Sequence, residues 1–170
     1  MKKTLWITQT AVLTALLVLL QTITKAGGQF LTGSCVNAVL AIAVLFSGLW
    51  SGVTVALISP FFAFALGIGP QLPVIVPAIA IGNLVYVLIL HILSGKQLWR
   101  QGVGVVCAAV FKFLALNVIV VQLICRILTL PEKQITTFAA MFSWPQLVTA
   151  LIGGGIALLI VPVLRKAFRR

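Results

Sequence analysis

Long runs of apolar residues, separated by short polar segments, dominate the pattern along this chain of 170 residues. Most runs approach or exceed the roughly 20 residues that an α-helix needs to cross a bilayer. The pattern predicts an all-α membrane protein with a single domain, residues 1–170, folded as a bundle of six transmembrane helices. The predicted spans are residues 5–24, 36–50, 53–68, 74–93, 102–128 and 144–164.

Glycine and proline mark several breaks between the runs. A polar loop is predicted at residues 25–34 and a turn at residues 67–73. Pro60 falls inside the third run, where its missing N–H predicts a kink that neighbouring helices support. Pro145 is expected in the first turn of the last span, a position that tolerates proline.

The distribution of charged residues predicts the orientation of the bundle in the membrane. Twelve residues are Lys or Arg and only one is acidic, for a net charge of +11. On a soluble protein that balance would suggest nucleic acid, but here the basic residues stand mainly at the ends of apolar runs. Cytoplasmic loops of membrane proteins carry such an excess, so we expect both termini in the cytoplasm and no nucleic-acid partner. Eight basic residues then lie inside: Lys2, Lys3, Lys96, Arg100, Arg165, Lys166, Arg169 and Arg170.

The sequence lacks the residues that several classes of enzyme and transporter need. The single histidine, His91, and the single acid, Glu132, cannot form a zinc-protease motif or a pair of catalytic carboxylates. The chain has no phosphate-binding Gly-rich loop, and its three cysteines are too scattered to ligate a metal together. We therefore expect no enzyme activity, no metal and no cofactor. Because no carboxylate lies within a span, uphill transport would need energy from another subunit.

Polar residues within the spans are the candidates for ligand binding, because they are costly in lipid and usually face the bundle interior. Lys112, Gln122 and Arg126 fall within about 80° of one another on an ideal helix, which predicts one polar stripe on the fifth span. Asn117 is expected to point elsewhere. The stripe predicts a cavity that attracts a carboxylate or a phosphate. The competing structural interpretation has Arg126 reaching the outer interface and Lys112 bonding to carbonyl groups between helices.

Further amide and aromatic side chains gather at the predicted outer ends of the helices, where they would suit a small heterocyclic ligand. The remaining candidate binding residues are Gln29, Asn37, Gln71, Asn83, Trp144 and Gln146.

Ala11 and Ala15 form a pair of small residues one helical turn apart in the first span. Small residues at this spacing let two membrane helices approach closely. With the six spans and the absence of an energising motif, the pair resembles the pattern of substrate-binding S components of energy-coupling factor (ECF) transporters. The residue types of segments 14–21 and 32–37 also resemble those of this family.

This resemblance implies a high-affinity subunit of an ATP-driven importer for a vitamin or related micronutrient, in the plasma membrane of a prokaryote. It implies that Ala11 and Ala15 contact a transmembrane coupling subunit, which joins two ATP-binding cassette ATPases. Substrate would bind near the outer face. The lack of acidic residues disfavours a cationic substrate.

Two other functions stay open at this stage. One is an autonomous facilitator or channel for a small anion, with the Lys112 stripe as its selectivity element. The other is a structural or assembly subunit of a larger membrane complex, in which the polar residues join helices to one another.

Overall fold

A computed structural model describes residues 3–95, 97–128 and 130–168. Within these ranges the chain forms helices, turns and loops, and no strand occurs. The α-helices are α1 (Lys3–Thr24), α2 (Gly28–Ile42), α3 (Leu49–Ala65), α4 (Ile75–Leu93), α5 (Leu98–Leu116), α6 (Cys125–Ile127), α7 (Glu132–Met141) and α8 (Trp144–Ala167). Two π-helical segments, Ala43–Ser47 and Asn117–Ile124, extend α2 and α5.

Four helical runs are long and apolar enough to cross a membrane, judged by length and composition. They are Thr4–Ser47, Ile75–Leu93, Leu98–Ile127 and Glu132–Ala167. Helix α3 is apolar but shorter. The all-helical fold, with helices long and apolar enough to span a membrane, is therefore confirmed for the described residues, whereas the count of six spans and the cytoplasmic termini stay predictions.

The first of these runs folds back on itself. A straight helix of its 44 residues would be about 65 Å long. Thr10, near its start, nevertheless accepts a hydrogen bond of 3.0 Å from the hydroxyl of Ser51, just beyond its end. The reversal lies at the 3₁₀ turn Lys25–Gly27 and at Gly28, whose φ of +73° favours glycine. Helices α1 and α2 are thus two antiparallel arms.

The predicted polar loop at residues 25–34 is wrong for most of its length, because α2 already begins at Gly28. Its polar residues do not mark a solvated loop. Thr32 donates to the carbonyl oxygen of Thr24 at 2.9 Å, and Ser34 is buried. Helix α7 was not predicted either; five of its ten residues are polar or charged, so it differs in composition from the spans.

Several polar side chains lie inside the bundle among its apolar core, and many large apolar side chains are exposed on its outer surface, as expected for a protein in lipid. Leu159 is 76% exposed and Val163 is 66% exposed, whereas Asn37 and Lys112 are 1% and 3% exposed. Pro60 lies inside α3 and cannot donate to the carbonyl oxygen of Ala56. The hydroxyl of Ser59 donates to that oxygen instead, at 3.4 Å.

Gly153 brings α8 against α2. A Cβ at this position would lie 2.5 Å from the carbonyl oxygen of Ser34 and 2.6 Å from the backbone nitrogen of Ala38. Backbone atoms cannot move aside as a flexible side chain can, so any larger residue separates the two helices.

We therefore expect Gly153→Ala to destabilise the protein by about 1–3 kcal/mol, the usual effect of overpacking. The midpoint of thermal unfolding in detergent, followed by tryptophan fluorescence, measures the effect. Gly155→Ala is the matched control on the same helix, because nothing lies within 4 Å of its added Cβ. Equal midpoints for the two variants would contradict the close contact.

Candidate functional site

A cavity of about 330 Å³ lies at the end of the bundle that carries the α1–α2, α3–α4 and α7–α8 connections. Each connection contributes to its wall, through Gly28, Pro70 and Phe142 among others. Helix α7 is held there by a hydrophobic cluster that includes Ile75, Leu116 and Phe138. The cavity is therefore formed jointly by helices from both halves of the chain.

Lys112 of α5 reaches the inner wall of this cavity. Its Nζ donates to Oδ1 of Asn37 at 2.6 Å and to Oδ1 of Asn83 at 2.7 Å. The same nitrogen lies 5.6 Å from the centre of the Tyr86 ring, within the range of a cation–π interaction. Three helices, α2, α4 and α5, thus meet at one buried lysine.

The two asparagines are held with their oxygens toward Lys112. Nδ2 of Asn37 donates to Oγ1 of Thr149 at 3.3 Å, and Nδ2 of Asn83 donates to Oγ of Ser59 at 3.2 Å. Because each amide nitrogen bonds to a hydroxyl oxygen, the amide group is oriented with its oxygen toward the lysine. The hydroxyl groups behind the asparagines therefore fix the position of Nζ.

The lysine keeps one donor for a ligand. A protonated lysine has three N–H donors, and the protein residues described take two of them. No carboxylate takes the third, since Glu132, the only acid of the sequence, is exposed at the start of α7. The site can therefore bind an anionic oxygen at the inner wall of the cavity.

Five of the residues proposed from sequence line this cavity together. They are Gln29, Asn37, Asn83, Lys112 and Gln146. Both glutamines donate to the carbonyl oxygen of Met141, Gln146 at 3.2 Å. They tie α2 and α8 to the end of α7 and so close one side of the cavity.

Four others lie outside the lining. Gln71 is exposed and donates to the carbonyl oxygen of Gly69 at 3.4 Å. Trp144 is also exposed, and its ring lies 5.5 Å from that of Phe30. Gln122, within the π-helical segment that follows α5, and Arg126, in α6, are both exposed.

The predicted stripe of Lys112, Gln122 and Arg126 is wrong because it assumes a uniform α-helix. The π-helical turns between them bond residue i to residue i+5 and so change the angle between successive side chains. Gln122 instead donates to Oδ1 of Asn117 at 3.2 Å. Asn117, which was expected to point elsewhere, is therefore the neighbour of Gln122.

Sequence reasoning missed several residues of the lining. Lys25 stands at the rim, where Nζ donates to the carbonyl oxygen of Leu66 at 3.4 Å. Thr32 and Ser59 add hydroxyl groups, and Gln21 adds an amide at the end of α1. Gln21 and Ser59 could have been found from the sequence by the criterion that selected Asn83, because each is a polar residue within an apolar span.

Ala11 and Ala15 lie elsewhere, in a groove between α1 and α3. Both are exposed. Thr10 and Thr14 in the same groove donate to backbone oxygens of their own helix, each at 2.8 Å. With those hydroxyl groups satisfied, the groove offers another helix a mostly apolar surface with two small residues at its centre.

Among known proteins, the chain matches one family model. The model is described as ECF transporter, substrate-specific component, and it covers residues 6–165. No curated protein and no solved structure matches the chain.

Proposed function

Because this chain belongs to the family of substrate-specific components of ECF transporters, we propose that it is the substrate-binding subunit of an ATP-driven importer. The substrate is a vitamin or related small micronutrient with an anionic group, and the membrane is the plasma membrane of a prokaryote. Members of the family are substrate-specific membrane components and not enzymes.

Lys112 carries the proposal of an anionic substrate. Its ammonium group is buried, has two neutral amide acceptors and faces a cavity of small-molecule size. A buried charge is stabilised when it is paired and fully hydrogen-bonded. An anionic oxygen from the substrate would complete the set of three acceptors and supply the missing opposite charge.

The proposed topology has six spans and cytoplasmic termini. The reversal between α1 and α2 supports this count, because it divides one apolar run into two arms that each approach membrane length. The exposed Arg165 supports the orientation: it lies at the opposite end of the bundle from the cavity, where Nη2 donates to the carbonyl oxygen of Leu45 at 2.7 Å. The cavity then opens toward the outside.

Energy would come from partner subunits. We propose that a transmembrane coupling subunit docks in the α1–α3 groove around Ala11 and Ala15, and that two ATP-binding cassette ATPases act through it. The sequence has one acidic residue, Glu132, which lies outside the predicted spans. This supports an energy source in other subunits, since coupling to protons or sodium usually uses a carboxylate within the membrane.

One experiment tests the proposed function directly. The protein is purified from cells grown in rich medium, and small molecules that copurify are identified by mass spectrometry. We expect one small acid, which uptake assays should then show to enter vesicles only when coupling subunit, ATPases and ATP are present. Uptake by this chain alone would support the facilitator instead, and the absence of any bound molecule would support the assembly subunit.

A further inference from the structure

Gln21 contributes to the cavity lining a buried side-chain oxygen that has no partner among the described residues. It lies near the end of α1, lines the cavity and is 4% exposed. Its carbonyl oxygen Oε1 has no hydrogen-bond partner among the residues that the structure describes. Leaving a buried acceptor unpaired is unfavourable, and most such groups in proteins have a partner.

Each of the other amides of the lining makes at least one hydrogen bond within the protein. Asn37 and Asn83 use both oxygen and nitrogen within the protein, and Gln29 and Gln146 donate to Met141. Their positions are thus explained by contacts between helices. The carbonyl oxygen of Gln21 makes no such contact, and it has almost no accessible surface while the cavity is empty. Because the last torsion of a glutamine side chain is broad and Gln21 lines the cavity, rotation of its amide group can present this oxygen to a molecule there.

We infer that the substrate presents an N–H or O–H donor to Oε1 of Gln21 while its anionic oxygen binds Lys112. The inference rests on the proposed function, to which it adds a second contact in the same cavity. The volume of about 330 Å³ is near the lower end of the range of about 300–1,000 Å³ for ligand pockets. Both groups therefore belong to one small molecule, a carboxylic or phosphoric acid that also carries an amide, ureido, amine or hydroxyl group.

Gln21→Met tests the contact, because methionine keeps the length of the side chain and removes the oxygen. We expect affinity for the substrate to fall tenfold or more, because its donor loses a buried partner. The thermal midpoint of the substrate-free protein should stay unchanged or rise, since the variant removes an unpaired buried acceptor. A structural role for Gln21 would give the reverse: a lower midpoint and unchanged affinity.

Gln9→Met is the matched control. Gln9 lies on the same helix, and its Oε1 is also buried without a partner among the described residues, but it does not line the cavity. We expect this variant to bind with the affinity of the wild type.

The probes are small carboxylic acids in matched pairs, one member with a free N–H or O–H and the other methylated at that atom. Equilibrium dialysis with detection by mass spectrometry measures their retention. Wild-type protein should retain the free member at least tenfold better, and Gln21→Met should lose most of that preference. If the variant keeps the preference, or if wild type retains both members equally, the inference is wrong. If wild type retains no acid of either kind, the proposed function fails and the inference with it.

Discussion

Lys112→Met is expected to weaken substrate binding by tenfold or more. A hydrogen bond to a charged group contributes about 1.5–3 kcal/mol, which corresponds to roughly tenfold to more than 100-fold in affinity. The substitution removes both the opposite charge and the donor from the inner wall of the cavity. Isothermal titration with the acid that copurifies with the wild type gives the dissociation constants.

The same substitution leaves the oxygens of Asn37 and Asn83 without their donor, so it also alters the structure. Lys112→Gln separates the two effects, because it removes the charge and keeps an N–H donor on a side chain that is one atom shorter. We expect this variant to unfold at a temperature closer to that of the wild type and still to bind at least tenfold more weakly.

Two other basic residues serve as controls for the loss of positive charge. Arg126 and Lys133 are exposed and lie outside the cavity. Arg126→Ala and Lys133→Met should leave affinity within about twofold of the wild type, since exposed charges are screened by solvent. Wild-type affinity in both Lys112 variants would refute the anion site.

Replacing Ala11 and Ala15 together by tryptophan is expected to abolish uptake and leave substrate binding intact. In lipid, packing between helices depends on close approach, which small residues allow. Two indole rings would fill the groove between α1 and α3 and hold the coupling subunit away. Because both alanines are exposed, the change should not disturb the interior of this chain.

The matched control is Val12→Trp with Leu16→Trp. These residues have the same spacing on the same helix and are 60% and 39% exposed, but they do not line the groove. ATP-dependent uptake into reconstituted vesicles and binding in detergent are measured for both pairs. Uptake that survives in the alanine variant would show that the coupling subunit docks elsewhere. Equal loss in the control pair would indicate a general effect of bulky residues on α1.

The three residues at the centre of the candidate site could be selected from the sequence, although the predicted partners of Lys112 were Gln122 and Arg126. Lys112, Asn37 and Asn83 each interrupt an apolar run, and a polar group in that setting must find partners inside the bundle. Their convergence follows from the shortage of other partners. The family resemblance read from Ala11 and Ala15 is also confirmed by the match over residues 6–165.

The parts that could not be predicted depend on local departures from regular helix. Arg126 was assigned to the site by counting 100° per residue across a segment that is π-helical. Gln29 was placed in a loop because polar residues and glycines cluster there, although they begin α2. Gln21 was not selected, although it is a polar residue within the first predicted span.

The fixed position of Lys112 has a consequence for the entropy of binding. A free lysine side chain carries about 2 kcal/mol of rotamer entropy, which a flexible binding residue loses when its ligand arrives. Here Asn37 and Asn83 restrict the side chain during folding. The substrate therefore meets a preorganised donor, and most of the interaction energy can appear as affinity. A small molecule with few contacts can then bind tightly enough to be captured from dilute surroundings.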